Sequence, residues 1–177
     1  MPSRRTLLLS GLILLMGAAE ACHQVKLNPE SAGPLSKLEA EGDLITAKRI
    51  KAEIPIRVCT SLGLLRREQA AALKAAGVDR FNHNLETTKH RFGEVCSTHT
   101  YEDRVETVRL VHEHGMESCC GGIIGMGESD GDIVDLCFAL RELDVSSIPV
   151  NFLNPRPGTV LEGPNDLTPW RCLRVLA

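Results

Sequence analysis

Residues 117–128 read Glu117-Ser118-Cys119-Cys120-Gly121-Gly122-Ile123-Ile124-Gly125-Met126-Gly127-Glu128. A short apolar strand carries two thiols, breaks into glycines, and ends on an acidic residue that opens a helix. Glycine lets a backbone come close to a ligand and supplies dihedrals that other residues avoid. A thiolate at the same place is a soft metal ligand. Few structural needs explain both together, so the stretch reads as the mouth of a cofactor site.

The flanks give the architecture. Downstream, Asp130 to Leu143 reads as a helix with Ile133, Val134, Cys137, Leu140 and Leu143 as its apolar stripe. Ser147 to Leu153 is a strand, closed by Asn154-Pro155-Arg156-Pro157-Gly158. Thr168 caps a last helix running to Ala177, with Pro169 at N1, where its missing N–H costs nothing. Upstream, Tyr101 to His114 is a helix with Val105, Val108, Leu110 and Val111 on one side, capped by Thr100 and ended by Gly115. Arg80 to Leu85 is a strand, and Arg66 to Ala76 a helix stopped by Gly77. Ile56 to Leu62 is the first regular strand. Strand starts separated by 24 to 37 residues, with helices between them, predict a parallel sheet with right-handed crossovers. The fold class is α/β: a partial (β/α)8 TIM-type barrel of about four βα units, since a full barrel takes about 250 residues.

Residues 54–177 form this partial barrel. Residues 23–53 are a linker and a helix: Asn28-Pro29 and Gly33-Pro34 punctuate the linker, and Leu38, Leu44, Ile45 and Ile50 give residues 37–53 a thin apolar stripe. Residues 1–22 are a signal-like or spurious leader. Ser3-Arg4-Arg5 precedes an apolar stretch of 13 residues from Leu7 to Ala19, then Ala19-Glu20-Ala21-Cys22. That is the layout of a signal peptide, and it is short for a membrane span. Export, a helix or strand of the domain, and an unrelated leader remain the three readings. Cys22 offers a lipidation site, though Glu20 is a poor neighbour for one.

Composition bounds the function. Hydrophobic residues make up 43% and charged residues 24%, which fits an ordinary globular domain with a core. A net charge of −3 and few aromatics argue against a nucleic-acid surface. Seven cysteines, irregularly spaced and without any Cys-x-x-Cys, do not make a secreted disulfide framework. Reduced thiols, some of them ligands, are the better reading.

Parallel α/β folds bind ligands at the carboxyl ends of their strands. Those ends hold Cys59 with Thr60 and Ser61, then Asn82, His83, Asn84 and Glu86, then Cys119 and Cys120, then Asn151 and Asn154. Polar groups where Val or Ile would serve a core favour a site over structure. Successive strand residues face opposite ways. Of Cys119 and Cys120, one therefore faces the barrel interior and the other packs under a helix as a small hydrophobe. Asn82, Asn84 and Glu86 share a face; His83 takes the other, as a hydrogen-bonded interior residue. Cys96, in a loop with His99, reads as solvent-exposed. Cys137 and Cys172 read as core, and Arg66-Arg67 as a solvated helix start.

Five stretches resemble biotin synthase, a radical S-adenosylmethionine (SAM) family, in order and spacing. They are Arg57-Val58-Cys59-Thr60-Ser61-Leu62-Gly63, Phe81 to Thr87, Thr98 to Arg104, Cys119 to Glu128, and Pro149 to Leu153 with Pro157-Gly158-Thr159. The resemblance covers about residues 50–177. It implies a (β/α)8 barrel that inserts sulfur into dethiobiotin, using a [4Fe-4S] cluster to cleave SAM and a [2Fe-2S] cluster as sulfur donor. It assigns Cys59 and Cys119 to the [2Fe-2S] cluster. Asn84 and Glu86 match positions that contact SAM ribose or dethiobiotin, the family often having Asp at Glu86. Asn151 matches a dethiobiotin contact. Gly121, Gly122, Ile123, Gly125 and Glu128 match the SAM-side turn. No catalytic side chain is assigned. The family's Cys-x-x-x-Cys-x-x-Cys, which holds the [4Fe-4S] cluster, does not occur in these 177 residues. The expectation is a fragment inactive alone, cytoplasmic by resemblance, acting as a homodimer or with a complementary polypeptide. The alternatives are an exported or lipidated non-enzymatic α/β protein and a ligand-binding module derived from the family.

Overall fold

The computed structural model describes residues 12–16, 37–162 and 167–177. Within the leader, Leu12–Met16 (β1) is a strand; the basic start at residues 3–5, residues 19–22 and the linker at 23–36 lie outside the described residues. The other elements are Lys37–Glu53 (α1), Arg57–Ser61 (β2), Arg67–Ala75 (α2), Arg80–Asn82 (β3), Lys89–Val95 (α3), Tyr101–Glu113 (α4), Glu117–Cys119 (β4), Gly122–Ile124 (β5), Asp130–Glu142 (α5), Val150–Phe152 (β6) and Pro169–Leu176 (α6). Helix α3 has no counterpart in the sequence reading. It holds only Phe92 as a buried residue, too little apolar periodicity to announce a helix.

β2, β3 and β4 run parallel in that order, and β1 lies antiparallel on the β2 edge, Leu14 opposite Cys59. β5 and β6 form a second parallel pair. The single strand expected from Glu117 to Ile124 is thus broken in two. Parallel bridges from Glu86 to Gly122 and from Cys119 to Ser147 carry the wall across the break. With α2, α3–α4 and α5 as the crossings, this is the α/β layout of a partial barrel.

Alternation sorts the strand residues. Val58 and Phe81 are buried against Leu73, Leu110, Val111 and Ala47 from the helices. Cys120, Ile124, Val150 and Phe152 join Leu136, Leu140 and Val108 in a second cluster. Helix α4 serves both, giving Leu110 and Val111 to one and Tyr101 and Val108 to the other. Helix α1 is pinned to the sheet by Asp79, whose Oδ2 accepts from Lys51 Nζ at 2.9 Å and from Val58 N at 2.7 Å.

Several side chains depart from expectation. On α5 the buried stripe is Ile133, Leu136 and Leu140; Val134 and Cys137 are exposed. Ile133 and Leu140 belong to both stripes, so the helix meets the sheet through its Leu136 side rather than its Val134 side. Cys172 is only partly buried. The helix caps at Thr100, Ser129 and Thr168 accept from the backbone N–H of Asp103, Asp132 and Arg171, as their residue types dictate.

Candidate functional site

Parallel register fixes which side chains share the face turned away from the helices. Cys59 lies opposite Arg80, Arg80 opposite Glu117, and Asn82 opposite Cys119. Cys59, Arg80, Asn82, Glu117 and Cys119 therefore stand on one face. The thiols of Cys59 and Cys119 are each 2% exposed. Two strand spacings and one pleat repeat separate them, about 12 Å between Cα atoms, too far for a disulfide. Neither forms one.

Beneath them is an ion network. Glu117 accepts from Arg80 Nη2 at 2.6 Å and Nε at 3.1 Å, and pairs with Arg57 at 2.5 Å. Hydrogen bonds from Arg80 and then Arg57 outweigh partial burial and hold the Glu117 carboxyl below its usual range. Beside Cys119, Asn82 Oδ1 is buried without a hydrogen-bond partner. Cys120 points the other way, into the apolar cluster, where burial pushes its thiol up to about 12. It is thus the member of the pair that packs under the helices, and Cys119 the one on the face turned away from them.

The remaining sequence-derived residues meet at the break between β4 and β5. Asn84 Oδ1 accepts from Gly121 N at 3.1 Å, and Gly121 O accepts from Leu85 N and Glu86 N. A Cβ on Gly121 would lie 1.9 Å from the Pro149 carbonyl oxygen, and one on Gly122 would lie 2.7 Å from Leu136 Cδ2 and 2.8 Å from the Glu86 carbonyl oxygen. Both glycines are required by backbone packing alone. Glu86 takes φ 69°, uncommon without glycine, and its carboxylate lies 3.6 Å from Arg104 Nη1. Ile123 pairs with Asn151 on β6, which puts both on the open face. Gly125 (φ 104°) and Gly127 (φ 89°) make the turn. Glu128 closes it by accepting from Gly125 N at 2.7 Å and Met126 N at 2.8 Å. The glutamate holds the turn's shape.

Three arginines escaped the sequence reading. Arg80 lies on the thiol face. Arg91 donates to the carbonyls of Gly127 at 2.8 Å and Met126 at 3.1 Å. Arg104 donates to the Asn84 carbonyl at 2.6 Å and to His99 Nε2 at 2.9 Å. A basic residue in a strand or helix carries no local sign of its target, so only position identifies these. His83 is interior as expected, but its Nε2 has no hydrogen-bond partner. Burial, with the Arg104 and His99 charges, lowers it to about 3, so the ring is neutral. Cys96 is partly buried rather than open, with Sγ 3.6 Å from His99 Nδ1.

The chemistry of the donor set can be tested against an iron–sulfur group. Two buried thiols on one face, with an orphaned amide oxygen beside them, fit part of a [2Fe-2S] ligand set. Among the described residues no three His, Cys, Asp or Glu side chains group to hold a metal ion.

The family model described as "Radical SAM superfamily" matches residues 31–140. The chain is 58% identical over 130 residues to the biotin synthase of Salinibacter ruber, covering 73% of this chain and 36% of that protein. It is 48% identical over 171 residues to the biotin synthase of Geobacillus thermodenitrificans, covering 93% of this chain and 50% of that one. The chain thus spans about a third to a half of the length of these curated relatives. Among solved structures, methylornithine synthase aligns with TM-score 0.67 at 18% identity, over 77% of this chain and 42% of that one. Coproporphyrinogen III oxidase from Escherichia coli, a radical SAM enzyme, aligns with TM-score 0.60 at 13% identity, over 77% and 35%. These likenesses are of fold alone: the sheet and its helices match part of an α/β barrel.

Proposed function

The chain belongs to the radical SAM superfamily, and we propose that it is the wall of a biotin synthase barrel that holds the sulfur-donating cluster against dethiobiotin. One observation carries this: Cys59 and Cys119, on different strands, are buried on the same face of the sheet, turned away from the helices, beside a buried amide oxygen without a hydrogen-bond partner among the described residues. In this reading the two thiolates hold a [2Fe-2S] cluster, which supplies sulfur when bound.

The chain's own residues bind and orient. Asn151, opposite Ile123 on the neighbouring strand, borders the place of dethiobiotin, where an amide side chain suits a ureido ring, and Ile123 belongs to the SAM side. Asn84, through its Oδ1, fixes Gly121 and hence the chain beyond Cys119. Arg104 holds the Asn84 carbonyl and stands by Glu86, whose carboxylate suits a ribose diol of SAM. Gly121, Gly122, Gly125 and Glu128 keep the SAM-side turn in shape. No step through a [4Fe-4S] cluster is assigned to these residues.

The apolar face of α6 supports a complementary polypeptide as partner. Trp170, Leu173 and Leu176 are 77%, 56% and 60% exposed, and the outer edge of β6 pairs with no strand among the described residues. Reduced thiols in the site fit a cytoplasmic setting. Anaerobic reconstitution of the purified chain with iron and sulfide, read by its visible spectrum, tests the proposal. Charge-transfer bands are expected, lost in Cys59→Ser and in Cys119→Ser. A featureless spectrum from the unaltered chain sinks the cluster role. Sequencing upstream of Met1 tests the whole-enzyme reading, which expects a Cys-x-x-x-Cys-x-x-Cys in an adjoining frame or gene.

A further inference from the structure

His99, in the loop between α3 and α4, has no part in the proposed function, yet it meets the arginine that holds the Asn84–Glu86 loop. Arg104 Nη1 donates to the Asn84 carbonyl at 2.6 Å, and the same nitrogen lies 3.6 Å from the Glu86 carboxylate. Arg104 Nε donates to His99 Nε2 at 2.9 Å. A guanidinium nitrogen only donates, so His99 Nε2 is an acceptor and the ring proton sits on Nδ1. Nδ1 lies 2.9 Å from Thr98 Oγ1 and 3.6 Å from Cys96 Sγ. The buried Phe92 ring of α3 backs both partners: His99 meets it edge-on with centroids 5.7 Å apart, and the Arg104 guanidinium lies 5.5 Å from its centroid. Taking Nε fixes the plane of the guanidinium, and hence the direction of Nη1. Glu86 is where that direction matters. Its φ of 69° persists in a non-glycine residue only when the surroundings over-determine it. Gly121 O takes Leu85 N and Glu86 N, and the Glu86 carbonyl takes Ile123 N, so the sheet fixes the loop from one side. Arg104 holds it from α4.

We propose that His99 is a positioning residue: by accepting from Arg104 Nε it aims the guanidinium that holds the Asn84 carbonyl and faces Glu86, and so sets how the Glu86 carboxylate is presented to a ribose diol. The ribose part rests on the SAM reading above; the positioning of the loop does not. Protonating His99 Nε2 sets two donors against each other and releases Arg104. Burial, then the Arg104 charge, lower the His99 pKa against the pull of Asp103, so the acceptor is present at neutral pH and lost on the acid side. The titratable and charged groups facing the ring are Arg104 and Asp103 from α4, Cys96 from the loop and His83 from just past β3. His83, lowered to about 3 chiefly by burial, stays neutral across that range.

The full chain is compared as wild type, His99→Gln, His99→Leu and Cys96→Ser. Glutamine carries an acceptor oxygen near the place of Nε2 and does not titrate; leucine offers no acceptor. Hydrogen-exchange mass spectrometry reads peptides spanning residues 82–87 in the ligand-free chain, and equilibrium dialysis reads SAM binding, both from about pH 5.5 to about pH 7.5. His99→Leu is expected to speed exchange in those peptides and to weaken SAM binding, each about tenfold. His99→Gln stays within about threefold of wild type at neutral pH. It loses the acid-side change that wild type and Cys96→Ser both show. A general packing lesion would leave glutamine as impaired as leucine, and that result overturns the role. So does a His99→Leu chain that exchanges and binds like wild type. If His99→Leu fails to fold, the acid-side profiles of wild type and His99→Gln decide, and identical profiles overturn the role. If wild type binds no SAM, the ribose reading of Glu86 falls, and exchange at residues 82–87 judges the positioning of the loop alone.

Discussion

Phe81 and Asn82 are neighbours on β3 and face opposite ways. Phe81 is 1% exposed and packs among Val58, Leu110, Val111 and Met116. Asn82 stands with Cys59, Arg80, Glu117 and Cys119, and its Oδ1 has no hydrogen-bond partner. The helix side of the sheet is satisfied by contacts within the chain. The other side holds a paired ion network, two buried thiols and an amide oxygen without a hydrogen-bond partner among the described residues. The difference puts apolar packing on one face and polar groups on the other, within the same three residues of strand.

The largest test lies where the faces meet, at the β4–β5 break. Gly121→Ala puts a methyl 1.9 Å from the Pro149 carbonyl oxygen. It is expected to cost about 5 kcal/mol or more, read as loss of a cooperative thermal transition by circular dichroism. An alanine variant that melts like wild type would contradict the packing account of this glycine.

Next comes the pair on β3. Phe81→Ala leaves a cavity and is expected to cost about 3–5 kcal/mol by urea denaturation. Asn82→Ala removes a polar atom with no partner, so stability should change by less than about 1 kcal/mol, while cluster uptake on reconstitution falls. Equal stability losses in the two variants would erase the distinction between the faces.

The smallest effect is the pH response of the ion network. Arg80 and Arg57 depress the folded-state pKa of Glu117. Its contribution is therefore present above the unfolded carboxylate value and is lost as pH falls through the lower folded value. The carboxylate is 40% exposed, which limits the contribution to under about 1 kcal/mol. The urea midpoint should drop between pH 6 and pH 3 more steeply in wild type than in Glu117→Gln; identical slopes would remove Glu117 from the balance.

Much of the fold was legible in local chemistry. Helix α1 spans the residues expected of it, and Thr100, Ser129 and Thr168 cap as short polar side chains do. Cys119 and Cys120 divide between faces as alternation requires. The stripe of α5 was misread because Val134 and Cys137 are apolar but face solvent; hydrophobicity alone cannot say where a helix meets its sheet. The glycines of residues 121–127 were read for a ligand. Gly121 and Gly122 prove necessary to let Pro149, Glu86 and Leu136 approach, contacts 14 to 36 residues distant in the chain.

The sequence by itself determined the alternation of strands and helices, the caps, and the division of Cys119 and Cys120 between two faces, because each follows from periods of two or 3.6 residues and from side-chain type. Only the tertiary structure decided that β4 and β5 part company, that Glu128 holds its own turn, and that Arg80 and Asn82 share a face with Cys59 and Cys119. Those depend on register between strands, and register is set by packing across the whole sheet rather than by any one segment.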